Sequence, residues 1–251
     1  MEKTKVQQIF KKYKYKPYKI RVIHNLHPGD ANLRLFFCRW ILQQTEVDRN
    51  FVSKVIWSDE SFVSSAGLFN RNNTRYWSEN NPHQVHIRER QGRFGFSVEC
   101  LVLGTKIRYM IYNETLTAIK YLEILEHILP ELLEDVPLAN LNSIYFQQDG
   151  APAHNAYLVR PFLEENFGNK WIGTHGPING PPRSQDLSIL DFCIWGYLKN
   201  KIYINVHRTV EDLRNATDQA FRQLQARPLI LSNALEHIVK RCQICIGNQG
   251  N

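Results

Sequence analysis

The chain lacks most of the signatures that assign a protein quickly. No uninterrupted apolar run approaches the ~18 residues of a membrane span, so no membrane partner is expected. The opening stretch MEKTKVQQIFKKYKYK has no apolar segment of the secretory kind. Cysteine is sparse: five residues, an odd number scattered over 251 positions, argue against a disulfide framework and fit a reducing compartment. Gly92, Gly95 and Gly104 form no phosphate loop and no Walker-type GK[ST] occurs. There is no G-x-S-x-G elbow, and the nine histidines show no H-x-x-x-H spacing. A single CxxC, Cys242 to Cys245, would need a distant partner such as His237 to hold zinc, so apolar helix packing is expected there.

What is present is an uneven charge. The chain carries a net charge of +7, and residues 1–21 hold eight basic residues against one acid, Glu2, so this short arm accounts for the whole excess. Phe10, Tyr13, Tyr15 and Tyr18 interleave with its lysines. Cations that displace counterions from phosphates, set beside rings that stack on bases, suit nucleic acid. Lys11, Lys12, Lys14, Lys16, Lys19 and Arg21 are the candidate contacts. A solvated basic tail or a nuclear-localisation patch would have the same composition.

Hydrophobic periodicity places the elements. A helix is expected over 5–16, stopping before Pro17, and another over 31–48 capped by Asp30 after the turn HPGD. Residues 1–50 therefore read as a basic arm and helical linker, and 51–251 as the main domain. Strands are expected at 54–64, at FGFSVECLVLG and at KIRYMIYN, the last two joined as a hairpin through Gly104-Thr105. A long helix follows, with Ile119, Leu122, Leu125, Ile128 and Leu129 as its apolar face and Pro130 limiting or kinking it. Then come a strand at 142–148, a helix over 155–166, a strand near Trp171-Ile172 and a loop over 173–186. Three helices close the chain, one starting near 187–191, one opened by a Thr209/Asp212 capping box, and one over 230–245. Strands, helix, strand, helix, strand, helices is an α/β order with a mixed sheet, compatible with a ribonuclease H-like fold among others.

Three aspartates stand where chemistry would want them. Asp59 interrupts an apolar strand, Asp149 ends another, and Asp191 lies near a helix start beside Phe192 and Trp195. A carboxylate among apolar residues is costly unless paired or metal-bound. Three that converge suit hard divalent cations, and two Mg²⁺ about 4 Å apart can hold both oxygens of a phosphodiester in line. Asp149-Gly150 could instead be a hairpin turn, although APAHNA follows it rather than a strand. Asp191 could be a helix cap, and Asp186 competes with it for the metal role.

The strings WSDESF at 57–62, YFQQDGAPAH at 145–154 and PPRSQDLSILDFCIWGYLKNKIY at 181–203 resemble the catalytic motifs of mariner-like DNA transposases, especially their insect branch. NRNNTRYW and NPHQVH resemble the same branch, and KPYKIRVIHNLHPGD resembles its linker. The resemblance implies a ribonuclease H-like mixed sheet flanked by helices, acting in the nucleus in cut-and-paste transposition. It implies Asp59, Asp149 and Asp191 as catalytic metal ligands for Mg²⁺, with Mn²⁺ able to substitute. Asp186 matches a family aspartate that is not a ligand. His154 would support the site or touch phosphate, and Arg183 would join the arm in contacting DNA, both transposon ends and target. The loop at 67–82 matches an insertion that reaches a partner subunit, which suggests a homodimer.

Some positions depart from the pattern. Gln185 and Ile189 stand where prolines are expected, Gly180 where tryptophan is common, and Glu99 where a strand tryptophan is usual. Residues 5–12 match only the tail of the second helix-turn-helix unit, so most of the end-reading region is expected to be missing from this sequence. Such changes are those of a decaying or truncated copy. They leave a rival reading, a host-adopted, catalytically inactive DNA-binding module of the same fold. A ribonuclease H-like nuclease acting on RNA is a third.

Overall fold

The computed structural model describes residues 8–10, 12–18, 26–65, 76–79 and 94–251. They fall into two units, one from residues 1–24 and 66–93, the other from 25–65 and 94–251.

In the smaller unit a helical turn at 8–10 ends early. Tyr13 N–H still bonds to the Ile9 carbonyl, but Lys14 takes a left-handed φ of 59° and the chain turns into strand β1 (Lys16–Tyr18). The helix expected over 5–16 therefore stops about four residues sooner, because 16–18 pair antiparallel with β3 (Tyr76–Ser78). Lys12 and Lys14 are exposed. Lys11, Lys19, Arg21 and most of the expected subunit-reaching loop at 67–82 lie outside the described residues.

The larger unit opens with α1 (Asp30–Val47). Gly29, at a φ of 94°, makes the left-handed turn into it, so Asp30 is the first helical residue rather than its cap. Then follow β2 (Val55–Ser64), β4 (Gly95–Leu103), β5 (Lys106–Tyr112), α2 (Ala118–Leu133), α3 (Leu138–Leu141), β6 (Tyr145–Gln147), α4 (Val159–Phe167), β7 (Trp171–Gly173) and β8 (Ile178–Asn179). A π-helical turn at Leu190–Ile194 leads into α5 (Trp195–Ile202), and α6 (Val210–Gln225) and α7 (Pro228–Gly247) finish the chain. The sheet order is β5-β4-β2-β6-β7-β8, antiparallel from β5 to β2 and parallel from β2 onward. β8 forms inside the stretch expected to be loop; it adds two residues to the open edge of β7.

Alternation along the strands divides the core between the two faces. Val55, Trp57 and Val63 of β2 pack with Phe96, Val98 and Cys100 of β4 against α1, α5, α6 and α7. Ile56, Leu101 and Phe146 face the other way, onto α2 and α4. Thr117 caps α2 by accepting from Lys120 N–H, and Tyr121, Ile124, Leu125, Ile128, Leu129 and Leu132 form its buried stripe. Leu125, Ile128 and Leu129 lie on the expected face and Leu122 packs beside it, but Ile119 is exposed and Tyr121 and Ile124 begin the stripe instead. Pro130 sits within the helix without ending it. The capping box at Thr209 and Asp212 forms as expected, and Cys242 and Cys245 are buried apolar positions on α7.

Two crossed ion pairs tie α1 to the segment before the π turn. Arg34, almost wholly buried, forks onto both Asp186 oxygens at 2.7 Å and also donates to Ser184 Oγ and the Gly250 carbonyl, each at 2.8 Å. Arg183 forks onto Asp30 at 2.5 and 2.6 Å. These pairs hold the loop without the prolines absent at 185 and 189, and Ile189 fills the core there.

Candidate active site: three aspartates around one cleft

The parallel pairing of β2 with β6 sets Trp57 beside Gln147. Two residues further on each chain stand Asp59 and Asp149, at the same level and on the same face by the two-residue period of strands. This is the carboxyl end of the parallel strands, where open α/β sheets bind ligands. Asp149 begins a tight turn by accepting from Ala151 N–H at 2.9 Å, so Asp-Gly here serves an Asx turn and not a hairpin. Asp191 comes from the π turn, whose wider winding lets Trp195 N–H reach back to the Leu190 carbonyl. All three aspartates line one cleft of about 360 Å³, together with Ser58, Thr174 and Arg183.

The electrostatics of the three differ. Burial, the Asp191 charge and Glu60 push Asp59 well above the ordinary carboxylate range, against the opposing hydrogen bond from Trp195 Nε1 at 2.7 Å. Burial and the Asp149 charge likewise raise Asp191, with Lys199 acting in the opposite direction. Burial also disfavours ionised Asp149, but the hydrogen bond and charge of His154 and the Ala151 amide outweigh it and hold the group below its usual value. The repulsion among these carboxylates is only partly offset, because Arg183 is already paired with Asp30 and Lys199 acts weakly.

Around this rim is a second set of groups. His154 is fully buried and its Nδ1 lies 2.6 Å from Asp149 Oδ1. Its backbone carbonyl accepts from Gln148 Nε2, whose Oε1 accepts from Tyr121 O–H, so α2 anchors the turn. His154 Nε2 faces Glu60 Oε2 at 3.4 Å. Among the described residues, the group of three potential metal ligands whose donor atoms all lie within 4.8 Å of one another is Glu60, Glu99 and His154, not the three aspartates. Burial, reinforced by the Glu60 charge, pushes Glu99 far up.

Of the residues expected from sequence, Asp59, Asp149, Asp191 and Arg183 meet in the cleft, His154 stands behind Asp149, and Asp186 is occupied by Arg34. Arg183 is held by Asp30. Sequence reasoning missed Trp195, Gln148 and Glu60 as site groups. Trp195 was visible as the aromatic four residues after Asp191, one helical turn on, but only the fold shows that its N–H meets Asp59.

The mixed six-stranded sheet with helices on both faces, and carboxylates at the ends of its central parallel strands, is the ribonuclease H-like arrangement. The chain has the fold of the Mos1 transposase catalytic domain. It superposes on the crystal structure of that domain with a TM-score of 0.68 and 17% identity, covering 92% of this chain and 98% of the other. A pre-cleavage Mos1 transpososome gives a TM-score of 0.75 at 16% identity, over 99% of this chain and 71% of that one. A Mos1 mariner paired end complex with Mn gives 0.72 at 18% identity, over 100% and 72%. No family model and no curated protein matches the chain. Among the described residues, no helix is long and apolar enough to cross a membrane.

Proposed function

We propose that the chain is the catalytic part of a DNA transposase, a metal-dependent endonuclease and strand transferase. The observation that carries this reading is the lining of one cleft by Asp59, Asp149 and Asp191, in a fold shared with a transposase catalytic domain. The donor set fits divalent metal: three carboxylates and no competing nitrogen, with Asp59 and Asp191 destabilised by burial and by the charge of neighbouring carboxylates. Asp59, Asp149 and Asp191 would hold Mg²⁺, or Mn²⁺ in its place. When bound, such ions activate the attacking hydroxyl and stabilise charge on the transferring phosphoryl group.

The chain's own residues do the rest. Trp195 orients the Asp59 carboxylate through its indole N–H, and His154 orients Asp149. A fully buried ring cannot touch phosphate, so support of Asp149 is the role that fits His154. Arg183 and Lys199 bring positive charge near the rim, where a DNA backbone would run. The basic residues of the arm, Lys11, Lys12, Lys14, Lys16, Lys19 and Arg21, add phosphate contacts without sequence readout, with residues 1–50 serving as arm and linker. Such a protein works where DNA is, in the nucleus of its host. The neighbours include paired-end complexes, and a dimer bridging two DNA ends is the assembly we infer. The inactive-module reading is not favoured, since every carboxylate the chemistry needs is in the cleft.

The test is nicking of supercoiled plasmid by the purified chain in Mg²⁺ or Mn²⁺, with a chelator control, alongside RNA·DNA hybrid substrates. Chelator-sensitive nicking of DNA duplex is expected. Cleavage of the hybrid alone would move the assignment to an RNA-processing enzyme, and no cleavage by a folded, DNA-binding chain would move it to the inactive module.

A further inference from the structure

Glu60 and Glu99 stand directly opposite one another on β2 and β4. They project from the face opposite Asp59, toward α2. Like charges in direct cross-strand register are destabilising, and here one carboxyl is wholly buried. Both oxygens of Glu99, Glu60 Oε2 and His154 Nε2 are buried without a hydrogen-bond partner. Folded proteins leave only a few such atoms per hundred residues, and four of the ten found among the described residues gather in this one cluster.

The imidazole shows what would join them. Asp149 is an acceptor when ionised, so the short bond at Nδ1 places the ring proton there. Nε2 points at a carboxylate oxygen 3.4 Å away with no hydrogen bond between them. A metal ion lying between the two would satisfy both atoms. A carboxylate holding the far nitrogen of a histidine is also the usual support of a metal-bound imidazole. In a tetrahedral site with ligand distances near 2.0–2.1 Å, donor atoms lie about 3.3–3.4 Å apart, which is the His154–Glu60 spacing. Glu60 is 31% exposed and leaves a way in for an ion.

We propose that Glu60, Glu99 and His154 form a second metal site, separate from the aspartate cleft, for a divalent transition-metal ion of the zinc type. One nitrogen and two carboxylate donors favour Zn²⁺ over Mg²⁺, which prefers oxygen and keeps its waters. Because His154 joins this site to Asp149, occupancy fixes the imidazole that orients a cleft carboxylate. The site thus ties the active cleft to a structural ion.

Equilibrium dialysis of the full chain against Zn²⁺ in a large excess of Mg²⁺ tests this, with Co²⁺ as the spectroscopic probe. One retained Zn²⁺ per chain is expected, with a visible Co²⁺ band typical of four-coordination. Glu99→Gln and, separately, the milder Glu60→Gln should each weaken Zn²⁺ binding at least tenfold with an unchanged circular dichroism spectrum. The proposal is overturned if no Zn²⁺ is retained, or if both variants bind it as the parent does, which would put the ion at the aspartates. It is overturned equally if Glu99→Gln raises the melting temperature and Zn²⁺ leaves both proteins unmoved, since a proton would then fill the cluster. All of these readouts are of Zn²⁺ binding and stability, so they stand or fall separately from the assignment of nicking to the aspartates.

Discussion

Replacing Arg34 by methionine removes the strut of the segment that carries the cleft's rim. The guanidinium makes four hydrogen bonds, two of them a fork on Asp186, and its side chain is only 4% exposed. Removing one partner of a fully buried ion pair costs about 3–5 kcal/mol. Asp186 is 47% exposed, so water can take over part of its solvation, and the expected cost falls to about 2–3 kcal/mol. Methionine keeps most of the packed length, which confines the change to the lost charge and donors. For a chain of this size each kcal/mol moves the melting temperature by about 2–4 °C, so a drop of roughly 4–12 °C should appear in a thermal melt. Lysine at the same position should recover less than half, because an ammonium cannot fork. Urea unfolding of the single variants and of Arg34→Met/Asp186→Asn gives the coupling directly. An Arg34→Met cost below about 0.5 kcal/mol, the range of an ordinary surface change, would refute the strut.

Two further outcomes follow from the same geometry. Burial works against ionised Asp186, but Arg34 more than offsets it and lowers the carboxyl below its ordinary value. A depressed folded value stabilises the ionised form, so the stability difference between the parent and Asp186→Asn should be full above the unfolded value of about 3.9. It should shrink as pH falls through the lower folded value; a difference that grows on acidification would contradict the pairing. Trp195→Phe deletes the bond to Asp59 together with part of a buried ring, and should lower Mg²⁺-dependent nicking about 10–100-fold with some loss of melting temperature, nicking being compared well below the melt. An unchanged rate would remove Trp195 from the site.

The sequence showed the parts that depend on local pattern. The strand of mixed apolar and polar residues at 54–64, the hairpin at Gly104 and the capping box at Thr209 each follow from near neighbours and appear in the structure. Parts made by distant contact were hidden. Arg34 finds Asp186 and Arg183 finds Asp30 across more than 150 residues, so no window of sequence joins them. One end of the apolar face of α2 was off: Leu125, Ile128 and Leu129 are buried as expected, but Tyr121 and Ile124 take the place given to Ile119. The π turn at 190–194 has no composition of its own, and it decides where Asp191 points. The three aspartates stood out as carboxylates among apolar residues, yet their convergence needed the β2–β6 register. Glu99 was odd in sequence, and its place opposite Glu60 gave that oddity a meaning.

The most direct test of the central claim sets four isosteric variants side by side: Asp59→Asn, Asp149→Asn, Asp191→Asn and Asp186→Asn, each assayed for plasmid nicking in Mg²⁺ well below its melting temperature. The first three should each lose at least about a hundredfold in rate, as removal of a metal ligand does. Asp186→Asn should nick at close to the parent rate. If Asp186→Asn were the inactive one and Asp191→Asn the active, or if all four nicked alike, the three-aspartate cleft would not be the seat of the chemistry.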